Sequence, residues 1–137
     1  MLYLSDVRDF ASQLLTGLVD DDHVYSGVLP DKPDKSIGVY NQKRGSPKKI
    51  AVSAPTSYRI KPVSLLIHWN KSQRDTERAA AAVYNAVENA ARTQVNGTNI
   101  LFTKMSMEEA VDVGTDDNGI FEMVIEFEIY YERKATI

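Results

Sequence analysis

The sequence predicts one α+β domain, in which two helices pack against a mixed, mostly antiparallel sheet of about four or more strands. Two stretches repeat apolar side chains with helical spacing, and two others alternate apolar and polar side chains as half-buried strands do. The length of 137 residues is typical of one domain, so we expect residues 1–137 to form a single unit.

The first helix is predicted from about Ser5 to Leu18. Ser5 can cap its start and Leu4 can pack over the entry, whereas Gly17 and the acidic run at 20–22 favour its end. The apolar stripe that defines this helix consists of Val7, Phe10, Ala11, Leu14, Leu15 and Leu18.

Short strands are predicted next at 24–29 and 37–41, with weaker strand signals at 50–52 and 58–60. The stretch 42–49 is basic and rich in residues that break regular structure, so we expect it to be a flexible, exposed loop.

The middle of the chain carries the strongest strand and helix patterns. A largely buried strand is predicted at 63–69, opened by Pro62, and Ser72 with Asp75 marks the start of a helix that reaches about Arg92. The apolar face of that helix consists of Ala79, Ala80, Val83, Tyr84, Val87, Ala90 and Ala91.

The last third predicts a turn at Asn96 and Gly97, a strand at 99–107, a loop rich in acids and glycine at 112–119, and a strand from about Ile120 to Glu132. Combining the two best helices with the two best strands gives an expected core of Phe10, Leu14, Leu65, Ile67, Val83, Val87, Ile125 and Phe127.

Composition excludes several classes of protein. The net charge is −3 with no strongly basic half, which argues against duplex nucleic-acid binding. The absence of cysteine excludes disulfides, thiolate metal sites and a cysteine nucleophile. Acidic residues near the start argue against a signal peptide, and no apolar stretch is long enough for a bilayer, so we expect a soluble protein made inside the cell, without a membrane partner.

The two histidines do not indicate catalysis or a metal. His23 follows three aspartates, but contiguous residues rarely converge on one ion, so a solvated loop is favoured. His68 is expected to be a histidine with its hydrogen bonds satisfied or one at an interface, since no nucleophile and base lie at a recognisable spacing.

Calcium and phosphate motifs also fail. With Gly119 as the sixth residue of a calcium loop, positions one and twelve would be Gly114 and Ile125 instead of carboxylates, so a hairpin turn at Asn118 and Gly119 is preferred. Glycine-rich phosphate loops are absent. We therefore expect no enzyme activity, metal or cofactor.

Two charged features remain as candidate contact surfaces. The loop carries four basic side chains, Lys43, Arg44, Lys48 and Lys49, which either are solvated or contact a partner. The last strand places Glu122, Glu126 and Glu128 on one face, which either keeps the sheet soluble or lines an aqueous channel.

The order of these elements resembles the tail terminator family of long-tailed bacteriophages, whose members are often described as minor capsid or head–tail joining proteins. The resemblance spans nearly the whole chain and is carried by several patterns. These patterns are the leading helix, IGVYN at 37–41, the strand 63–70 running into the helix 74–92 with VYN at 83–85, and the closing segment 117–132.

This resemblance implies a structural virion protein at the junction of tail and head, made in the host bacterial cytoplasm. It implies a hexameric ring that caps the tail tube, ends its polymerisation and presents a surface to the head connector protein, with DNA only as passing cargo. Two alternatives remain open: another small head–tail connector or adaptor protein, and a small enzyme whose site is not visible in sequence.

Overall fold

The computed structural model describes residues 1–27, 34–42 and 58–132 of the chain. The helices are α1 (Leu4–Leu14) and α2 (Gln73–Glu88), with a short 3₁₀ helix at Asp21–His23. The strands are β1 (Val24–Ser26), β2 (Ser36–Asn41), β3 (Tyr58–His68), β4 (Thr93–Val95), β5 (Thr98–Met105), β6 (Val111–Thr115) and β7 (Phe121–Glu132).

These strands form one sheet in the order β1-β2-β3-β7-β5-β4, with β6 beside β7. Strand β3 pairs along nearly all of β7 on one side, whereas β5 and β6 share the other side, β6 next to residues 121–124 and β5 next to residues 127–131. Only the β1–β2 pair is parallel among the pairings of the described residues. The predicted α+β class and mixed, mostly antiparallel sheet are confirmed.

One face of the sheet forms the core together with both helices. Alternate residues of β3 and β7 are buried in the same cluster as the inner faces of α1 and α2. Seven of the eight expected core residues are buried, and Leu14 is half-buried against their cluster. The predicted inner faces of both strands are therefore confirmed.

Helix α1 contacts both edges of the sheet, near strand β1 and near strand β4. The Arg8 Nε group donates to the carbonyl of Val24 in β1 at 2.8 Å. The Asn96 amide, in the turn between β4 and β5, donates to carboxylates of Asp6 and Asp9, each at 2.9 Å. One helix thus ties the edge strand β1 and the edge strand β4 to the same layer.

Both helices are shorter than predicted. Helix α1 begins at Leu4, because the Asp6 carboxylate accepts from the backbone N–H of Tyr3 at 3.0 Å, so Ser5 is not the cap. Helix α2 does begin after Ser72 as predicted, but it ends at Glu88 instead of Arg92: Asn89 is its C-cap, and residues 93–95 already pair with β5.

The turn at Asn96 and Gly97 is confirmed. Both residues have positive φ, 50° and 85°, which is the conformation of a two-residue type I′ hairpin. The turn before β7 is also a hairpin, but there Gly119 alone of the predicted pair has positive φ, and the Asp116 carbonyl accepts from its N–H at 3.1 Å.

Two strand predictions were wrong. Strand β3 begins at Tyr58, so Pro62 lies inside the strand instead of opening it. The pairing with β2 stops at Val63, so Pro62, which has no N–H, lies just beyond that pairing. Residues 111–115 form strand β6, although 112–115 were predicted as part of a loop. The short strand predicted at 24–29 corresponds to β1, which covers Val24–Ser26. The strand signal at 50–52 lies outside the described residues.

Candidate functional site

The carboxylates of β7 lie on the face of the sheet opposite the helices. Residues 123, 125 and 127 point into the core, so the alternate positions Glu122, Glu126 and Glu128 point to the other face, where all three are half-buried. Lys104 of β5 is the register partner of Glu128. We call this surface the glutamate face.

One end of the glutamate face has a perturbed carboxylate. Burial raises the pKa of Glu122, and the charge of Asp116 raises it further, while His68 acts in the opposite direction. Glu122 therefore keeps its proton to higher pH than an exposed glutamate does.

His68 joins β3 to the turn before β7. It is 3% exposed, and its Nε2 lies 2.8 Å from Asp116 Oδ2. Asp116 Oδ1 accepts from the backbone N–H groups of Asn118 at 2.8 Å and Ile120 at 2.9 Å. The His68 contact, together with these N–H groups, lowers the pKa of Asp116. His68 is thus a satisfied histidine, as one of the two sequence interpretations held; its partner Asp116 was missed.

Three aromatic rings lie at the other end of the glutamate face. Tyr130 stacks on Phe102 with ring centroids 4.4 Å apart and contacts Tyr58 at 5.8 Å. Phe102 is 49% exposed and Tyr58 is 37% exposed. Exposed aromatic side chains are enriched at surfaces that contact other proteins.

A concave surface lies on the other side of the sheet, between α2 and the segment that links β5 to β6. This acidic groove has a volume of about 820 Å³. Among the residues that the structure describes, its lining includes five carboxylates and no lysine or arginine, and its apolar side chains include Ala81, Val111 and Met123. The five carboxylates are Glu77, Glu88, Glu108, Glu109 and Asp112.

Two hydrogen bonds hold the walls of the acidic groove together. The Tyr84 hydroxyl on α2 donates to the Met107 carbonyl at 2.6 Å, and Gln73 Nε2 donates to Asp112 Oδ2 at 3.4 Å. Burial raises the pKa of the Tyr84 hydroxyl, and the charges of Glu88 and Glu108 raise it further. The groove was not predicted, because its walls come from segments that are distant in sequence.

The structure assigns no metal ligands to the remaining candidates. His23 ends the 3₁₀ helix, and the neighbouring Asp21 carboxylate bonds to Arg8 and Ser12. Within residues 1–27, 34–42 and 58–132, no three histidine or acidic side chains are grouped so that they could hold a metal ion. The basic side chains Lys43, Arg44, Lys48 and Lys49 lie outside the described residues.

Neither helix in the described part of the chain is long and apolar enough to span a membrane.

Comparisons with known proteins agree with this fold. Among solved structures, a chain of the "Virion of native gene transfer agent (GTA) particle" matches with a TM-score of 0.50 and 14% identity, over 94% of this chain and 90% of that chain. At that identity the likeness shows the fold alone. A search of curated proteins found no match. The family model described as "Bacteriophage tail terminator protein" matches residues 10–133. Because this match takes in most of the sequence, the chain belongs to the bacteriophage tail terminator protein family.

Proposed function

We propose that six copies of this protein close into a ring that caps the tail tube, ends tube polymerisation and joins the tail to the head. Membership of the tail terminator family carries this proposal, since it makes the protein a structural, tail-capping component of the virion. The ring, its size and its two partners, the tail tube protein and the head connector protein, are the parts that we propose.

The assembly state tests the ring directly. We expect the purified protein to have the solution mass of a hexamer. Electron microscopy should show six-fold rings, either free or on added tail tubes. Tube protein polymerised in its presence should give tubes of limited length with a ring at one end. A protein that stays monomeric with tubes present and leaves tube length unchanged contradicts the proposal. Such a result would favour the alternative of a small head–tail adaptor protein.

The glutamate face is proposed to line or approach the channel through which DNA passes. Its support is electrostatic: Glu122, Glu126 and Glu128 share one face, and a six-fold ring multiplies their charge. Carboxylates repel phosphates across a few ångströms of water, so DNA can slide without sticking.

The position of these side chains in an assembled ring tests the channel role. We expect the glutamate face to lie toward the ring axis, and the triple variant E122Q/E126Q/E128Q to form rings that retain DNA more strongly than wild-type rings. The matched control is D20N/D22N/D117N, which removes three exposed acids elsewhere. Side chains on the outer rim, or paired with Lys or Arg across a protomer contact, contradict the channel role.

The basic stretch is proposed to contact the tail tube or a neighbouring protomer. Its support is the charge of Lys43, Arg44, Lys48 and Lys49 in one short segment. Replacing all four with serine should leave folding intact and weaken tube capping. Unchanged capping would mean that the segment is only solvated.

A further inference from the structure

The acidic groove concentrates negative charge on a concave surface with a volume of about 820 Å³. Its five carboxylates carry a formal charge of −5, and none of the lining residues within 1–27, 34–42 and 58–132 is basic. The groove also exposes apolar surface, since Val111 is 48% exposed. A partner that fits this surface supplies cations, whereas an acidic protein or a nucleic acid would be repelled.

The strand that borders the groove leaves one edge of the sheet exposed. All five residues of β6 are exposed, and within the described residues β6 pairs with β7 alone. The edges at β1 and β4 are both tied to α1 through Arg8 and Asn96. Exposed strand edges with apolar side chains are sites where another chain adds by backbone pairing, so an extended segment in the groove has hydrogen-bonding groups beside it.

The two walls of the acidic groove are joined by hydrogen bonds within one protomer. The Tyr84–Met107 hydrogen bond, at 2.6 Å, and the Gln73–Asp112 hydrogen bond connect α2 to the opposite wall. A surface formed in this way loses little conformational entropy when a partner docks, which favours affinity.

The matching partner is present in the same sequence. Four of the seven residues at 43–49 are basic: Lys43, Arg44, Lys48 and Lys49. From these observations the geometry points to one assignment: the acidic groove of one protomer binds the 43–49 segment of a neighbouring copy. Because groove and segment are different surfaces, the contact is head-to-tail, and repetition of one such contact closes a ring when the rotation between copies fits. This inference rests on the proposed ring and names its contact.

Charge reversal on each side provides the test. The groove variant is E108K/E109K, which changes two exposed acids of the groove, and the segment variant is K48E/K49E. Each variant alone places like charges in contact, so we expect the protein concentration at half-assembly to rise about tenfold or more. The control D22K/D117K reverses two exposed acids outside the groove and should assemble as wild type does. Circular dichroism of every variant checks folding.

Mixing the two variants distinguishes contact between copies from contact within one chain. In an equal mixture, each reversed groove meets a reversed segment and each normal groove meets a normal segment, so alternating rings should form at wild-type concentrations. The inference is overturned if the mixture fails to assemble, or if either variant alone assembles as readily as wild type. In both cases, rings formed by the wild-type protein leave the proposed function standing. Absence of wild-type rings contradicts the proposed function itself, and the inference falls with it.

Discussion

At the scale of single residues, one aspartate organises the turn that leads into the central strand. Asp116 accepts from two backbone N–H groups through one oxygen and lies 2.8 Å from His68 Nε2 through the other. Its carboxylate therefore ties the start of β7 to the end of β3. Backbone groups in a tight turn need such partners, because an unsatisfied buried N–H is costly.

The lowered pKa of Asp116 predicts a pH-dependent contribution to stability. A carboxylate whose pKa is lower in the folded state stabilises the fold above its unfolded pKa, about 3.9, and that stabilisation is lost as pH falls through the folded pKa. We expect the difference in free energy of unfolding between wild type and Asp116→Asn to be largest near neutral pH and to shrink below about pH 4.

Urea unfolding followed at a series of pH values measures this difference. Asp117→Asn, which changes an exposed acid in the same turn, is the control. A difference between wild type and Asp116→Asn that stays constant down to the lowest pH would mean that the charge of Asp116 does not contribute.

At the scale of secondary-structure elements, the helices depend on local capping and the short strands depend on their neighbours. Ser72 Oγ accepts from the backbone N–H of Asp75 at 3.2 Å, and the sequence alone places this cap correctly. By contrast, β4 has three residues and exists by pairing with β5 across the type I′ turn. Local rules apply where a side chain bonds to its own turn, and they fail where the partner lies on another strand.

The capping hydrogen bond of α2 predicts a measurable loss of stability. Ser72→Ala removes the acceptor for the Asp75 N–H and should lower the free energy of unfolding by about 1 kcal/mol. Ser72→Asp keeps an acceptor at the cap and should stay close to wild type. Chemical denaturation of both variants measures the effect, and equal stability of Ser72→Ala and wild type would refute the capping role.

At the scale of the whole molecule, the two faces of the sheet have different tasks. One face packs against α1 and α2, and the other carries the glutamates and the three aromatic rings. The family to which the chain belongs is a structural one, which implies assembly with other virion proteins. The acidic groove adds a third surface, at the edge of the helix layer.

The assignment of the faces predicts unequal effects of truncation on neighbouring leucines. Leu65 is fully buried on the helix side, whereas Leu66 is half-buried on the opposite face. Leu65→Ala and Ile125→Ala should each lower the free energy of unfolding by about 2–5 kcal/mol, and Leu66→Ala should cost less. Losses under about 1 kcal/mol at both core sites, measured by urea unfolding, would mean that the faces are reversed.

The sequence by itself determined the features that depend on periodicity and local bonding. Alternation along β3 and β7 identified the buried face, because a strand with one face in the core must repeat every second residue. The same alternation placed Glu122, Glu126 and Glu128 on the opposite face, and the Asn96–Gly97 pair marked its turn.

Only the tertiary structure decided the features that join distant segments. All five residues of β6 are exposed, so no buried face marks it in the sequence, and it is a strand because β7 lies beside it. The His68–Asp116 contact joins residues 48 positions apart, and the acidic groove brings α2 to the link between β5 and β6. Such contacts depend on strand register, which is set when neighbouring strands pack on one core. No local pattern in the sequence therefore specifies them.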